Sequence, residues 1–288
     1  MTDDLSVQLA HWRGWTGRTE QRTDLVTAAP LAGLLATLDR AEAVPEPGDE
    51  VPCLGHWLYF LPNARHSEIG QDGHAKRGSF LPPVPLPRRM WAGGRIEFLQ
   101  PLRVGDEVVR TSRIMRVDAK SGRSGPLVFV TVRHEITNPL GLAVTEEHDI
   151  VYRDAPVPGA PVPLPVRAPT DETFGRAIAP DAVMLFRYSA LTFNGHRIHY
   201  DRPYACEVEG YPGLIVHGPL IATLLVDLLQ RERPHAKLRH FAFTALRPTF
   251  DIHRFEVCGR DVDAHTVSLW ARDHQGCLTM QAQAHMEP

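Results

Sequence analysis

A chain of 288 residues, 43% hydrophobic and 23% charged, has room for one large domain or two ordinary ones and enough apolar material for a sizeable core. Its formal net charge of -3, from 31 basic and 34 acidic residues, gives no case for nucleic acid or an anionic membrane surface. Cys53, Cys206, Cys258 and Cys277 lack any CxxC spacing, the first residues lack the basic start and apolar core of a secretory signal, and no apolar run nears the ~20 residues of a membrane span. Reduced thiols and a cytoplasmic location are therefore expected.

In chain order, the first forty residues read as polar and then helical. Leu31 to Leu38, behind Pro30, looks like a second, weaker copy of a buried helix described below. Leu54 to Leu61 is apolar and aromatic and is expected to be a strand. Residues 62–94 are too rich in proline for a regular helix or a central strand. Long ordered loops are often functional, so Arg88, Arg89 and Trp91 are candidates to cover a ligand. An extended segment wrapping the other half of the molecule fits the same composition equally well. Strands are expected at Arg95–Leu99, Glu107–Val117, Leu127–Ile136 and Leu142–Tyr152, with turns at Ser121–Gly125 and Asn138–Gly141.

Residues 155–170 hold six prolines and read as a semi-rigid linker. Beyond it the order recurs: a helix after Pro219, then strands at Arg239–Leu246, Phe255–Gly259, Val267–Arg272 and Leu278–His285. Local wording recurs too, since Phe98-Leu99-Gln100-Pro101 corresponds to Ala245-Leu246-Arg247-Pro248. An internal duplication is expected, with units at 1–154 and 171–288.

Catalysis-capable side chains concentrate between Phe186 and Leu229. Tyr188 to Asn194 has the composition of a short strand or strand end. Asn194 and His199 then lie five apart, about one and a half helical turns, so that both can face one side of a loop-helix corner. His217-Gly218-Pro219 precedes a helix that is apolar nearly all round and so buried. The free N–H groups of its first turn, that of Gly218 above all, can polarise a carbonyl oxygen. His196 and His199 are three apart, but the segment supplies no third histidine or carboxylate in position to complete a zinc site, and no metal or other cofactor is expected.

The segment resembles the signature of MaoC-type R-specific enoyl-CoA hydratases and hydroxyacyl-thioester dehydratases: Tyr188-Ser189, His199, Asp201, Tyr204-Ala205 and His217-Gly218 match in order. Two positions depart. Asn194 stands for the family's catalytic aspartate, and His196-Arg197 for its asparagine-proline pair. The wording TFNGHRIHYD is similar to the subgroup with mitochondrial-type thioester dehydratases and the itaconyl- and mesaconyl-CoA hydratases.

The resemblance implies an α+β double hot-dog, two antiparallel sheets each wrapped around a central helix, with a non-catalytic first unit and one site per chain. It implies a cofactor-independent hydro-lyase acting on a short enoyl-CoA, itaconyl- or mesaconyl-CoA giving citramalyl-CoA. His199 would be the acid/base, Asn194 would orient water and Gly218 would supply the oxyanion contact. Tyr188, Ser189 and His217 would shape the site, Arg88 and Arg89 would meet the CoA phosphates, and Arg197 would meet a second carboxylate. A 3-hydroxyacyl-thioester dehydratase of fatty acid synthesis and a non-catalytic acyl-thioester binder are the alternatives, and a homodimer is mildly expected.

Overall fold

The computed structural model describes residues 2–122, 125–155 and 164–287, with the backbone alone for 2–6 and 121–122. The elements are α1 (Thr2–Arg13), β1 (Thr19–Leu25), α2 (Ala28–Thr37), β2 (Arg88–Phe98), β3 (Glu107–Gly122), β4 (Gly125–Asn138) and β5 (Gly141–Arg153). There follow β6 (Phe174–Ile178), α3 (Ala182–Leu191), α4 (Gly218–Glu232), β7 (Leu238–Ala245), β8 (Phe255–Asp261), β9 (Thr266–Arg272) and β10 (Leu278–Met286). All ten strands join one antiparallel sheet, in the order β1-β3-β4-β5-β2-β7-β10-β9-β8-β6. Counted from its own first strand, each half has the same order: first, third, fourth, fifth, second.

The halves meet where β2 pairs antiparallel with β7, from Gly93 opposite Thr244 to Glu97 opposite His240. A Cβ on Gly93 would lie 2.6 Å from the Phe243 carbonyl oxygen, so only glycine lets this seam close. The recurring wording marks a recurring backbone device. The Leu99 and Gln100 N–H groups both donate to the Ala143 carbonyl, and those of Leu246 and Arg247 both donate to the Thr279 carbonyl. In each half the second strand is thereby turned off the fifth.

Helix α4 is the core of the second half, with every residue from Leu220 to Leu229 buried. Its one buried acid, Asp227, accepts from Arg40, Arg176 and Arg231 at 2.8 to 3.1 Å, so the buried charge is matched by three partly exposed arginines. The surrounding cluster draws on both halves, from Val26, Leu31 and Ile96 to Phe241, Leu269 and Met280.

Several expectations change. Helix α2 follows β1 as α3 follows β6, and the two pack together, so α2 is the counterpart of α3 and not of α4. Among the described residues the first half has no counterpart of α4. A separate cluster there packs Trp12 of α1 and Val84 and Leu86 of the proline-rich segment on Val128, Val130, Val132 and Tyr152. Leu54 to Leu61 is not a strand: Leu54 and Phe60 have positive φ, and Gly55–Leu58 forms a 3-10 turn. Arg88, Arg89 and Trp91 belong to β2, not to the loop before it.

Tyr188 to Asn194 is the end of α3 rather than a strand. The side chain of Asp181 caps this helix by accepting from the Met184 N–H at 2.7 Å. Strands β1 and β6, edges with alternating exposure, had no apolar run to announce them. The proline-rich linker lies outside the described residues over 156–163, and the turn expected at Ser121–Gly125 does so at 123–124. Among the described residues no helix is long and apolar enough to cross a membrane.

Candidate active site

The motif hangs between the ends of α3 and α4. Helix α3 closes with the Phe193 N–H donating to Ala190 and the Asn194 N–H donating to Ser189, at 3.3 and 2.8 Å, and Phe193 takes φ 48° at the position where glycine usually ends such a helix. The chain then reverses: Asn194 Oδ1 accepts from the His196 N–H at 3.0 Å, and Arg197–His199 forms one 3-10 turn. The Asn194 oxygen is thus occupied by the backbone. Its amide N–H donors are what remain for a ligand or a water.

His199 is buried and its Nδ1–H donates to the Ile215 carbonyl at 2.7 Å. That bond fixes the tautomer and leaves Nε2 as the basic nitrogen. Burial, helped by the charge of His74 and opposed by the Ile215 carbonyl, lowers the pKa of His199 to about 4. The imidazole is therefore neutral, as a general base must be. Its ring stacks on His217 with centroids 3.7 Å apart and planes 17° from parallel.

His217 is held in turn by a hydrogen bond of 2.8 Å between Nε2 and Ser189 Oγ, while its Nδ1 is buried without a partner. The Tyr188 hydroxyl pairs with Thr223 Oγ1 at 3.3 Å, and Thr223 donates to the Pro219 carbonyl. Tyr188, Ser189 and Thr223 thus tie α3 to the start of α4. Gly218 is the first residue of α4, where an N–H has no intrahelical acceptor, and a Cβ built on it would meet nothing within 4 Å. The space beside the Gly218 α-carbon is open.

A second set of groups arrives from the proline-rich segment, whose loop at Gly70–His74 is clamped on the motif. The Arg197 N–H donates to the Asp72 carbonyl at 2.9 Å, and Arg197 Nη1 donates to the Gln71 carbonyl at 3.1 Å. Gly73, at φ 91°, lies so close to Gly195 that a Cβ would sit 1.8 Å from its carbonyl oxygen. His74 Nδ1 pairs with Asp72 Oδ2 at 3.0 Å, and the His74 ring lies 4.1 Å from that of His196, which is 5.4 Å from that of His199. Burial pushes His74 down, and it pushes His196 to about 2, with His74 and His199 adding to the effect. Burial works to raise the Asp72 carboxyl, but the hydrogen bonds and charge of His74, with the charge of His196, together outweigh this and hold it well below the usual range.

Donor atoms of Asp72, His74 and His196 lie within 4.8 Å of one another, which is close enough to grip a cation. The carboxylate and third histidine missing from the motif itself are therefore supplied from the other half, which corrects the reason given above for expecting no metal. The charges of Arg89 and Arg77 bear on the same imidazoles and work against a cation there. Sequence reasoning overlooked Asp72 and His74, whose only signal was a glycine-bracketed Asp-Gly-His inside a segment read for its prolines.

The expected substrate arginines have different fates. Arg197 donates to Asp201 at 2.7 and 2.9 Å and lies over the Tyr204 ring, so it braces the motif and is not free for a substrate carboxylate. Arg88 is bound to Glu209 through both the carboxylate and the backbone carbonyl and lies over Tyr211, which ties β2 to the loop before α4. Trp91 donates to the Gly93 carbonyl, lies 3.9 Å from the His148 ring and packs against the cluster shared by both halves. Arg89 pairs in register with Tyr152 on β5.

Comparisons with known proteins bear on the family and the fold. The family model "Hydroxyacyl-thioester dehydratase type 2" matches residues 54–251. A mesaconyl-C(4)-CoA hydratase of Chloroflexus aurantiacus is 45% identical over 280 residues, covering 96% of this chain and 98% of that protein. The mitochondrial hydroxyacyl-thioester dehydratase type 2 of Schizosaccharomyces pombe is 27% identical over 240 residues, covering 75% of this chain and 78% of that protein. Among solved structures, a MaoC-like dehydratase from Phytophthora capsici superposes with a TM-score of 0.70 at 10% identity over 96% of this chain and 97% of that one, which shows the fold to be the α+β double hot-dog. On the match over residues 54–251 and the near full-length relative, the chain belongs to the hydroxyacyl-thioester dehydratase type 2 family of MaoC-like hydro-lyases.

Proposed function

We propose that the chain hydrates a short, branched enoyl-CoA, with mesaconyl-CoA giving citramalyl-CoA as the first reaction to test and itaconyl-CoA as the second. The 45% identity to a mesaconyl-C(4)-CoA hydratase over nearly the whole chain carries this reading. In the proposed reaction His199 Nε2 takes a proton from water as the oxygen adds to the β-carbon, and then returns that proton to the α-carbon, so that one water is added across the double bond and His199 ends neutral. The Gly218 N–H, at the positive end of α4, holds the negative charge that develops on the thioester oxygen. Asn194 steers the water through its amide donors, since its oxygen is occupied. Ser189 and His217 keep the His199 ring in place, and Tyr188 fixes the start of α4. The reverse reaction is dehydration by the same groups.

Further parts of the reading follow. The 1–154 unit supports the site without carrying one, the 171–288 unit bears the motif, and a cytoplasmic homodimer with one site per chain is expected. Arg88, bound to Glu209, is no longer assigned to the CoA phosphates. A dehydratase of 3-hydroxyacyl thioesters is the second reading, favoured by the relative in Schizosaccharomyces pombe.

The test is loss of the conjugated-thioester absorbance with mesaconyl-, itaconyl- and crotonyl-CoA, with His199→Ala in parallel. Turnover of a C5 substrate that falls by about 100-fold or more in the variant supports the reading. Absence of hydration with all three, while 3-hydroxyacyl thioesters are dehydrated, replaces it with the second.

A further inference from the structure

The loop at Gly70–His74 and the motif bring together three groups that the proposed reaction does not use. Asp72, His74 and His196 are partly exposed, and their donor atoms all lie within 4.8 Å of one another. Tetrahedral bonds of about 2.0 to 2.2 Å to imidazole and carboxylate place donors roughly 3.3 to 3.6 Å apart. Asp72 Oδ2 and His74 Nδ1, at 3.0 Å, are close to that spacing, and a rotation of the His196 ring, 4.1 Å from that of His74, completes the set.

Both sides of the set are held by backbone contacts. The Arg197 N–H donates to the Asp72 carbonyl at 2.9 Å, Gly73 lies against Gly195, and Asn194 Oδ1 holds the His196 N–H at 3.0 Å. Asp72 Oδ1 accepts from the His74 N–H at 3.0 Å, which aims Oδ2 at the imidazole. Ligands positioned in advance lose little freedom when an ion arrives. Two imidazoles and one carboxylate suit zinc and its neighbours, whereas magnesium and calcium take oxygen ligands and water. The charges of Arg77 and Arg89 oppose a cation held by charge alone, and they limit one bound through imidazole lone pairs to reversible affinity.

We infer that Asp72, His74 and His196 form an inhibitory site for a transition-metal dication, Zn2+ first, that joins the two halves of the chain beside His199. The effect on turnover, though not the site itself, rests on the hydratase reading. The His196 ring is 5.4 Å from that of His199, which carries an extra proton midway through the proposed reaction. A dication at this range raises the energy of that imidazolium. The metal also ties the loop of the first half to the motif of the second.

The test separates binding from turnover. Co2+, whose visible absorption reports tetrahedral coordination, and Zn2+ in competition with it are titrated into the tag-free chain as wild type, Asp72→Asn, His74→Gln and His196→Gln. Wild type is expected to take up one ion per chain with micromolar affinity and a rise in Tm. Each variant should weaken binding by at least the roughly 10- to 100-fold that loss of an outer partner costs at metal sites. His253→Gln, which removes one of the exposed, stacked pair His253 and His274, should bind as wild type does. In turnover, Zn2+ should inhibit wild type over the range in which it binds, and each ligand variant should need roughly 10-fold more or above to lose the same fraction of its own metal-free rate. No uptake at millimolar metal, or equal affinity in wild type and all three ligand variants, overturns the site. Uptake at the site without loss of turnover overturns the inhibitory role. If no thioester is hydrated, the hydratase reading and the inhibitory role fall together, while loss of Co2+ binding in the variants still upholds the site.

Discussion

His199 lives in an environment set by one hydrogen bond and one stacked ring. The carbonyl of Ile215 decides which nitrogen is the base, and burial decides that it is uncharged. A histidine whose pKa drops on folding from 6.5 to about 4 binds a proton more readily in the unfolded chain, so stability falls as pH falls between those values. At about 1.4 kcal/mol per pH unit the loss from His199 alone is roughly 3 kcal/mol. His74, His196 and His217, lowered chiefly by burial, act in the same direction. Urea unfolding at pH 7, 5.5 and 4.5 should show that slope, and His199→Gln should flatten it. The acid limb of kcat/KM should lie well below pH 6.5. A limb at 6.5 would mean a solvated imidazole. Phe193 offers a separate check: its side chain is exposed and its φ positive, so Phe193→Gly should stabilise by about 1 kcal/mol in thermal unfolding.

At the scale of elements, the loop at Gly70–His74 matters as much as the motif it covers. Gly73 permits an approach to Gly195 that no other residue could make, on grounds of both φ and distance. Gly73→Ala should leave the fold intact, because the loop lies outside the sheet, but should push Asp72 and His74 away from His196. A fall in kcat/KM of about 10-fold or more with little change in Tm is expected. The opposite pattern, loss of Tm with normal turnover, would make the contact purely structural. In α4, Asp227 is 3% exposed and shared by three arginines. Asp227→Ala strands them, although their partial exposure lets water take over, so a loss of about 2 kcal/mol is expected from urea titration.

The whole molecule is one continuous sheet whose largest core is shared by both halves, not two beads on a linker. Residues of both halves share the cluster around α4, and the β2–β7 seam closes only through Gly93. Thermal unfolding should be a single cooperative transition by calorimetry and by near-UV dichroism alike. Gly93→Val, forced against the Phe243 backbone, should lower Tm strongly and abolish turnover. Two resolved transitions in the wild-type chain would show that the halves fold independently.

Much of this was legible in the residues. Strands β3 to β5 and β7 to β10 followed from apolar runs bounded by turn residues, the buried helix from an apolar run behind Pro219, and the duplication from the recurrence of order and wording. His199, Gly218 and Ser189 stood out because motif residues lie close together in the chain. Helix α3 was lost because its stop residue is Phe193 and not glycine, which removed the usual end signal, although Asp181 was present as a cap. The roles of the arginines could not be read, because a guanidinium's fate depends on whether an acid from elsewhere reaches it. Glu209 settles that for Arg88 and Asp251 for Arg202, while Arg197 joins its neighbour Asp201 to the distant Gln71 carbonyl. Asp72 and His74 reach the site only because a loop of the first half packs on the motif of the second. Local sequence thus determined most of the elements and the candidate motif, while the tertiary structure decided which distant groups surround it, since side chains more than a hundred residues apart meet only through that packing.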